Sequence, residues 1–120
     1  MYTALSEAEL RIMHVIWREG SIGARRVAQI LQEEIAYSPT TTYTLISRCI
    51  RKGAVERKDP GYICTPIVSR QQVEDDEVQS LMDRLFDGSP EKMIEAIHRC
   101  QEAAAAEAEA EAEVEAEDAE

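Results

Sequence analysis

The stretch "YSPTTTYTLISR", residues 37–48, concentrates side chains that hydrogen-bond without being strong acids or bases. Ser38, Thr40, Thr41, Thr44 and Ser47 each carry a hydroxyl that donates and accepts, and each threonine adds a methyl group. Tyr43 stands among them, and Arg48 and Arg51 follow. Such a set binds rather than reacts: hydroxyls suit polar edges and phosphate oxygens, and guanidinium groups suit anions. Nothing in the chain supplies a nucleophile motif, a phosphate loop or a paired catalytic acid, so no enzymatic activity is expected.

The hydroxyls must be held on a helix. Ser38-Pro39 is a helix opening, with serine as cap and proline at the first helical position. Leu45, Ile46, Cys49 and Ile50 form an apolar stripe, and Gly53 marks the stop, so the spacing predicts a helix over 39–52. Two helices precede it. Ser6 and Glu9 form a capping box stapled by Leu5 and Leu10, and Ile12, Met13, Ile16 and Trp17 recur at helical spacing up to Gly20. In "SIGARRVAQILQEE" the residues Val27, Ile30 and Leu31 mark a second helix, with Arg25 and Arg26 near an uncapped start at Gly23. Beyond the third helix, "AVERKD", "PG" and "YICTPIV" read as strand, turn, strand.

Three helices and a hairpin are the layout of a winged helix-turn-helix, in which the third helix enters the DNA major groove. Hydroxyls at its start fit base edges, threonine methyls fit thymine methyls, and the helix N-terminus favours a phosphate. On this reading Arg25 and Arg26 contact phosphates. Ser38, Thr40, Thr41, Tyr43, Thr44, Ser47, Arg48 and Arg51 face bases or backbone, and Arg57 and Lys58 are the wing's candidates. The plainer alternative is a merely solvated helix face with its threonines used as caps; helix-turn-helix units also serve as protein-binding modules, so the helix alone does not establish DNA contact.

The stretches "LSEAELRIMHVIW", "SPTTTYTLISRCIRKGAVER", "TPIVSR" and "SLMDRLFDGS" span roughly residues 5–98. On them the chain resembles the penicillinase-repressor family of bacterial winged-helix regulators (BlaI/MecI-like). The resemblance implies a homodimeric repressor on an inverted repeat, with the fourth and fifth helices forming the dimer. It also implies targets among resistance or metal-homeostasis genes and, in some members, inactivation by proteolysis after a membrane sensor detects an antibiotic. Ser38, Thr40, Thr41, Thr44 and Arg48 match the family's recognition helix. Tyr43 departs from it, standing where a basic residue is common. The hairpin "KDPGYICTP" is two residues shorter than the family's usual wing and lacks its arginine, so weaker anchoring by the wing is expected. Ala96-Ile97 replaces the protease-sensitive Asn-Phe pair, and only Cys100 lies where copper-responsive members carry clustered cysteines.

Charge is strongly polarised. The formal total is −11; residues 1–70 carry +3, residues 71–101 carry −5 and residues 102–120 carry −9. The three cysteines, Cys49, Cys64 and Cys100, have neither metal-ligand spacing nor a disulfide pattern, and Cys49 and Cys64 read as small buried hydrophobes. No metal or cofactor is expected. The start "MYTALSEAEL" has no signal-peptide character and no apolar run reaches membrane length, so a cytoplasmic protein without membrane contact is the expectation.

A second capping box, Ser69 with Gln72, opens a fourth helix with Val78, Leu81, Met82, Leu85 and Phe86, and Ser89-Pro90 opens a fifth with Met93, Ile94 and Ile97. Two short helices after a complete winged helix have little core to join, and burying their stripe against a second copy fits a two-fold dimer. From Ala103 the composition is nearly all Ala and Glu. Like charges four apart disfavour a helix there, so disorder or a frayed continuation of the fifth helix is expected. The tail either solubilises or competes with DNA for the basic residues.

The sequence thus predicts a mostly α fold with a small β-hairpin: a winged-helix DNA-binding domain over 1–68, a helical dimerisation region over 69–101 and an acidic tail over 102–120. The expected partners are a duplex operator, a second copy of the chain and, without an identity, a protease or sensor. The competing reading is a protein-interaction module or anti-repressor that has lost DNA binding.

Overall fold

The computed structural model describes residues 2–118. The order is α1 (Glu7–Glu19), β1 (Ile22–Gly23), α2 (Ala24–Ile35), α3 (Pro39–Arg51), β2 (Val55–Lys58), β3 (Ile63–Pro66), α4 (Arg70–Leu85) and α5 (Pro90–Asp118). The chain forms two compact units, Met1–Glu74 and Asp75–Glu120, and α4 runs across the division. The sequence places the break at 68; the first unit extends further because Val73, on the first turn of α4, is buried in its core.

Local signals account for the helix ends. The Ser6 hydroxyl accepts from the Glu9 amide at 3.2 Å, and the Ser6 amide donates to Glu9 Oε1 at 2.7 Å, completing the capping box of α1. Gly20 ends α1 at φ +81°, a conformation that side chains disfavour, and its amide donates to the Ile16 carbonyl at 2.8 Å. Ser38 caps α3 by accepting from the Thr41 amide at 3.2 Å, with Pro39 at the first position. Ser69 accepts from the Gln72 amide at 3.0 Å at the start of α4.

The core of the first unit joins Ile12, Met13 and Ile16 of α1, Val27, Ile30 and Leu31 of α2, and Leu45, Ile46 and Cys49 of α3. Val55 and Cys64 close it from the strands. Trp17 Nε1 donates to the Val68 carbonyl at 2.9 Å and ties α1 to the segment after β3.

The sheet is larger than the expected hairpin. Strand β1 pairs antiparallel with β3, which pairs with β2, giving the order β1-β3-β2. Ile22 lies opposite Cys64, and Arg57 also lies opposite Cys64 from the other side. A two-residue strand carries no periodicity, so only the tertiary pairing reveals it. It also explains the uncapped start of α2: the Ala24 amide finds the Tyr62 carbonyl at 2.9 Å instead of a side chain.

Thr42 points into this core, fully buried, and its Oγ1 has no hydrogen-bond partner among the described residues. A buried unsatisfied hydroxyl costs about 1–3 kcal/mol. Thr42→Val is therefore expected to raise stability by about 1 kcal/mol, read as a higher urea midpoint at unchanged slope; a lower midpoint would show that the hydroxyl is satisfied in solution.

In the second unit, α5 continues through Asp118, so residues 102–118 follow the second of the two expected states, a continuation of the fifth helix, and the last two residues of the tail lie outside the described residues. Alanine and glutamate are both strong helix formers, and this preference outweighs like-charge pairs worth only a few tenths of a kcal/mol each.

Candidate nucleic-acid interface

Along α3 the buried residues are Thr42, Leu45, Ile46 and Cys49, which form one face. Thr40, Thr41, Thr44, Ser47, Arg48 and Arg51 are exposed and, at 100° per residue, share an arc of about 120° on the opposite side. Tyr43 is half-buried at the edge of that arc. The hydroxyls are partly organised: Ser38 Oγ donates to Thr41 Oγ1 at 2.9 Å, and Thr44 Oγ1 donates to the Thr40 carbonyl at 3.0 Å. Each keeps lone pairs for an external donor.

The pairing of the cations separates structural from available charge. Arg11 pairs with Glu7, Arg18 with Glu34 and Glu19, Lys52 with Glu9, Arg57 with Asp59, and Arg70 with Glu74. Among the described residues of the first unit, Arg25, Arg26, Arg48, Arg51 and Lys58 have no carboxylate partner; Arg26 has only a 3.5 Å hydrogen bond to Gln29. All five unpaired cations are sequence-nominated contacts, and Arg57 is the one nominated cation neutralised in place.

A shallow surface cleft of about 290 Å³ links α2 to α3, lined by Arg25, Ala28, Gln29, Gln32, Pro39 and Tyr43. Tyr43 also meets Tyr62 edge-on at 5.9 Å, and the Arg57 guanidinium lies 3.7 Å over the Tyr62 ring. Arg25, the edge of α3 and the wing are thereby brought into one surface. Tyr62 is the residue that sequence reasoning missed. Its signal was an aromatic directly after the Pro60-Gly61 turn, which a strand reading absorbs without further question.

The cysteines of this unit are inert. Burial, helped by the Glu9 charge, pushes the Cys49 thiol up to about 12, and burial also raises Cys64.

Helices α4 and α5 lack a core of their own. Beyond Val73 neither contains a buried residue. Val78, Leu85, Ile94 and Ile97 are exposed, and Leu81, Met82, Phe86 and Met93 are half-buried. Leu81, Phe86, Met93, Ala96, Ile97 and Cys100 line an apolar groove of about 410 Å³. Among the described residues no helix is long and apolar enough to cross a membrane.

A capped third helix with an outward polar arc, backed by two helices and flanked by a three-stranded wing, defines a winged-helix protein. The sequence matches the family described as "Penicillinase repressor" over residues 5–114, and the chain belongs to that family. It is 30% identical to the penicillinase repressor of Bacillus licheniformis over 92 residues, 75% of this chain and 72% of that protein. It is 35% identical to the methicillin resistance regulatory protein MecI of Staphylococcus aureus (strain N315) over 54 residues, 45% of this chain and 44% of MecI. The solution structure of the DNA-binding domain of the repressor BlaI matches with a TM-score of 0.54 at 33% identity, covering 60% of this chain and 93% of that one. That of monomeric B. licheniformis BlaI with the blaP half-operator matches at 0.53 and 32% identity, covering 60% and 90%.

Proposed function

We propose that this protein is a transcriptional repressor that binds a palindromic operator as a homodimer, with α3 in the major groove. The observation that carries the reading is that Arg48 and Arg51, which have no carboxylate partner among the described residues, lie on the exposed hydroxyl arc of α3. A repressor of the same family has been solved with its half-operator, which agrees with it. Thr41, Tyr43, Thr44 and Arg48 face bases or the adjacent backbone; Arg25, Arg26, Arg51 and Lys58 meet phosphates. Half-sites lie about one helical turn, roughly 10 bp, or a multiple apart.

Binding to mixed genomic DNA at low salt tests this directly, since a phosphate-based interface loses affinity steeply as salt rises. No binding at any salt concentration would favour the competing protein-interaction module.

The dimer rests on the uncovered apolar face of α4 and α5, which a second copy would bury at about 25 cal/mol per Å². Leu81→Glu is expected to give a monomer by sedimentation at micromolar concentration and to weaken operator binding to the level of a single half-site. A variant that still sediments as a dimer would place the interface elsewhere.

A further inference from the structure

The wing tip holds a closed set of contacts that the operator reading alone does not explain. Arg57 Nε donates to both carboxylate oxygens of Asp59, at 3.2 and 3.1 Å, while its guanidinium carbon lies over the Tyr62 ring, 3.7 Å from the centroid. Tyr62 is a bulky residue at φ +50°, a conformation that persists only where the surroundings hold it. Three contacts do so. Its carbonyl takes the Ala24 amide at the start of α2, one side of its ring meets Tyr43 on α3, and the ring carries Arg57. The wing tip therefore touches both helices of the helix-turn-helix through one residue, α2 by its backbone carbonyl and α3 by its ring. Asp59 presents to Arg57 the paired oxygens that a phosphate would otherwise present.

We propose, given the operator-binding reading, that Arg57 is not a phosphate contact but a positioning residue: it clamps Tyr62 against Tyr43 of the recognition helix, with Asp59 standing in for the phosphate that would draw it away. The wing then contributes one free cation, Lys58, to DNA. Tyr43 at the edge of the reading arc is held by protein contacts in place of the basic residue expected there. The clamp needs a planar cation, because an ammonium cannot stack flat on a ring while donating along its edge.

Salt-dependent binding of a mixed-sequence duplex by the full chain tests this, with Arg51→Ala, a phosphate contact on the operator reading, as reference. Each phosphate contact contributes about 0.9 to the slope of log affinity against log salt, or about 3.5-fold across a fourfold salt range. Arg57→Ala is expected to keep the wild-type slope, and Asp59→Asn to steepen it by about 0.9 as the guanidinium is released to DNA. A slope for Arg57→Ala that is shallower by about 0.9, or no steepening in Asp59→Asn, would overturn the proposal. NMR of the DNA-free chain gives a second measurement. The Arg57 Nε–H resonance should be displaced by the Tyr62 ring current, lose that displacement in Tyr62→Leu, and leave the Tyr43–Tyr62 ring contact absent in both Arg57→Ala and Arg57→Lys. Persistence of that ring contact in Arg57→Lys would also overturn it. A wild-type chain that binds no duplex would instead sink the operator reading, and the free-state resonances would still decide the clamp.

Discussion

Arg48→Ala is expected to lower operator affinity by about 30-fold, or ~2 kcal/mol, within the range for a well-placed arginine on a base or backbone. Arg48 is exposed, lies on the arc of Thr41 and Thr44, and has no carboxylate partner among the described residues. Its loss removes a contact to DNA without disturbing the apolar face of α3, so the thermal midpoint should hold. A titration across salt concentrations on operator and random duplex also reads its role. A loss confined to the operator identifies a base contact; a loss shared by both, with a slope shallower by about 0.9, identifies a phosphate contact. Cys64→Ser is the matched control, because Cys64 is buried in the sheet with its thiol held protonated by burial. Equal losses from the two substitutions would mean that the binding face is elsewhere.

Lys52→Met is expected to cost about 3 kcal/mol of stability, the lower end for breaking a buried ion pair by removing one partner. Glu9 is 2% exposed, and Lys52 Nζ donates to its Oε1 at 2.6 Å. The same Nζ donates to the Ala4 carbonyl at 3.1 Å, and the Lys52 carbonyl accepts the Thr3 amide at 2.8 Å, so this residue also anchors the segment before α1. In a domain of this size ~3 kcal/mol corresponds to a fall in thermal midpoint of roughly 12–24 °C, measurable by circular dichroism. The companion variant Glu9→Gln keeps hydrogen-bonding capacity and leaves no buried charge, so it should lose less. A larger loss from Glu9→Gln would contradict the ion-pair account.

The pair also sets a pH dependence. Burial pushes the Glu9 carboxyl up, but the Lys52 ammonium and the Ser6 amide and hydroxyl together outweigh it and hold Glu9 below its ordinary 4.5. Near that value the unfolded chain then binds more protons than the folded one, so stability rises with pH. The contribution of Glu9 is fully present above about 4.5 and is lost as the pH falls through the lower folded value. Lys52→Met should flatten this part of the stability–pH curve, as followed by denaturant midpoints across an acid series.

Much of this molecule was determined by residues close together in the chain. Ser6 and Glu9, Ser38 and Pro39, and Ser69 and Gln72 set helix starts because a cap acts within one turn. The stripe of Leu45, Ile46 and Cys49 fixed which side of α3 turns outward, and so the hydroxyl arc. The alternating Ala/Glu tail shows a limit of such local reasoning: like-charge repulsion and the helix preference of alanine and glutamate point opposite ways, which leaves disorder and a continued fifth helix both open in the sequence.

What the tertiary structure alone decided is which nominated groups are free. Lys52 and Glu9 lie 43 positions apart, and Ala24 and Tyr62 meet only after β1 joins the sheet. Arg57 and Lys58 look alike in sequence, yet Arg57 is stacked and paired whereas Lys58 has no carboxylate partner among the described residues. Periodicity reports which face a residue occupies. Whether its charge is already spent depends on partners brought in by folding, and those leave no local pattern.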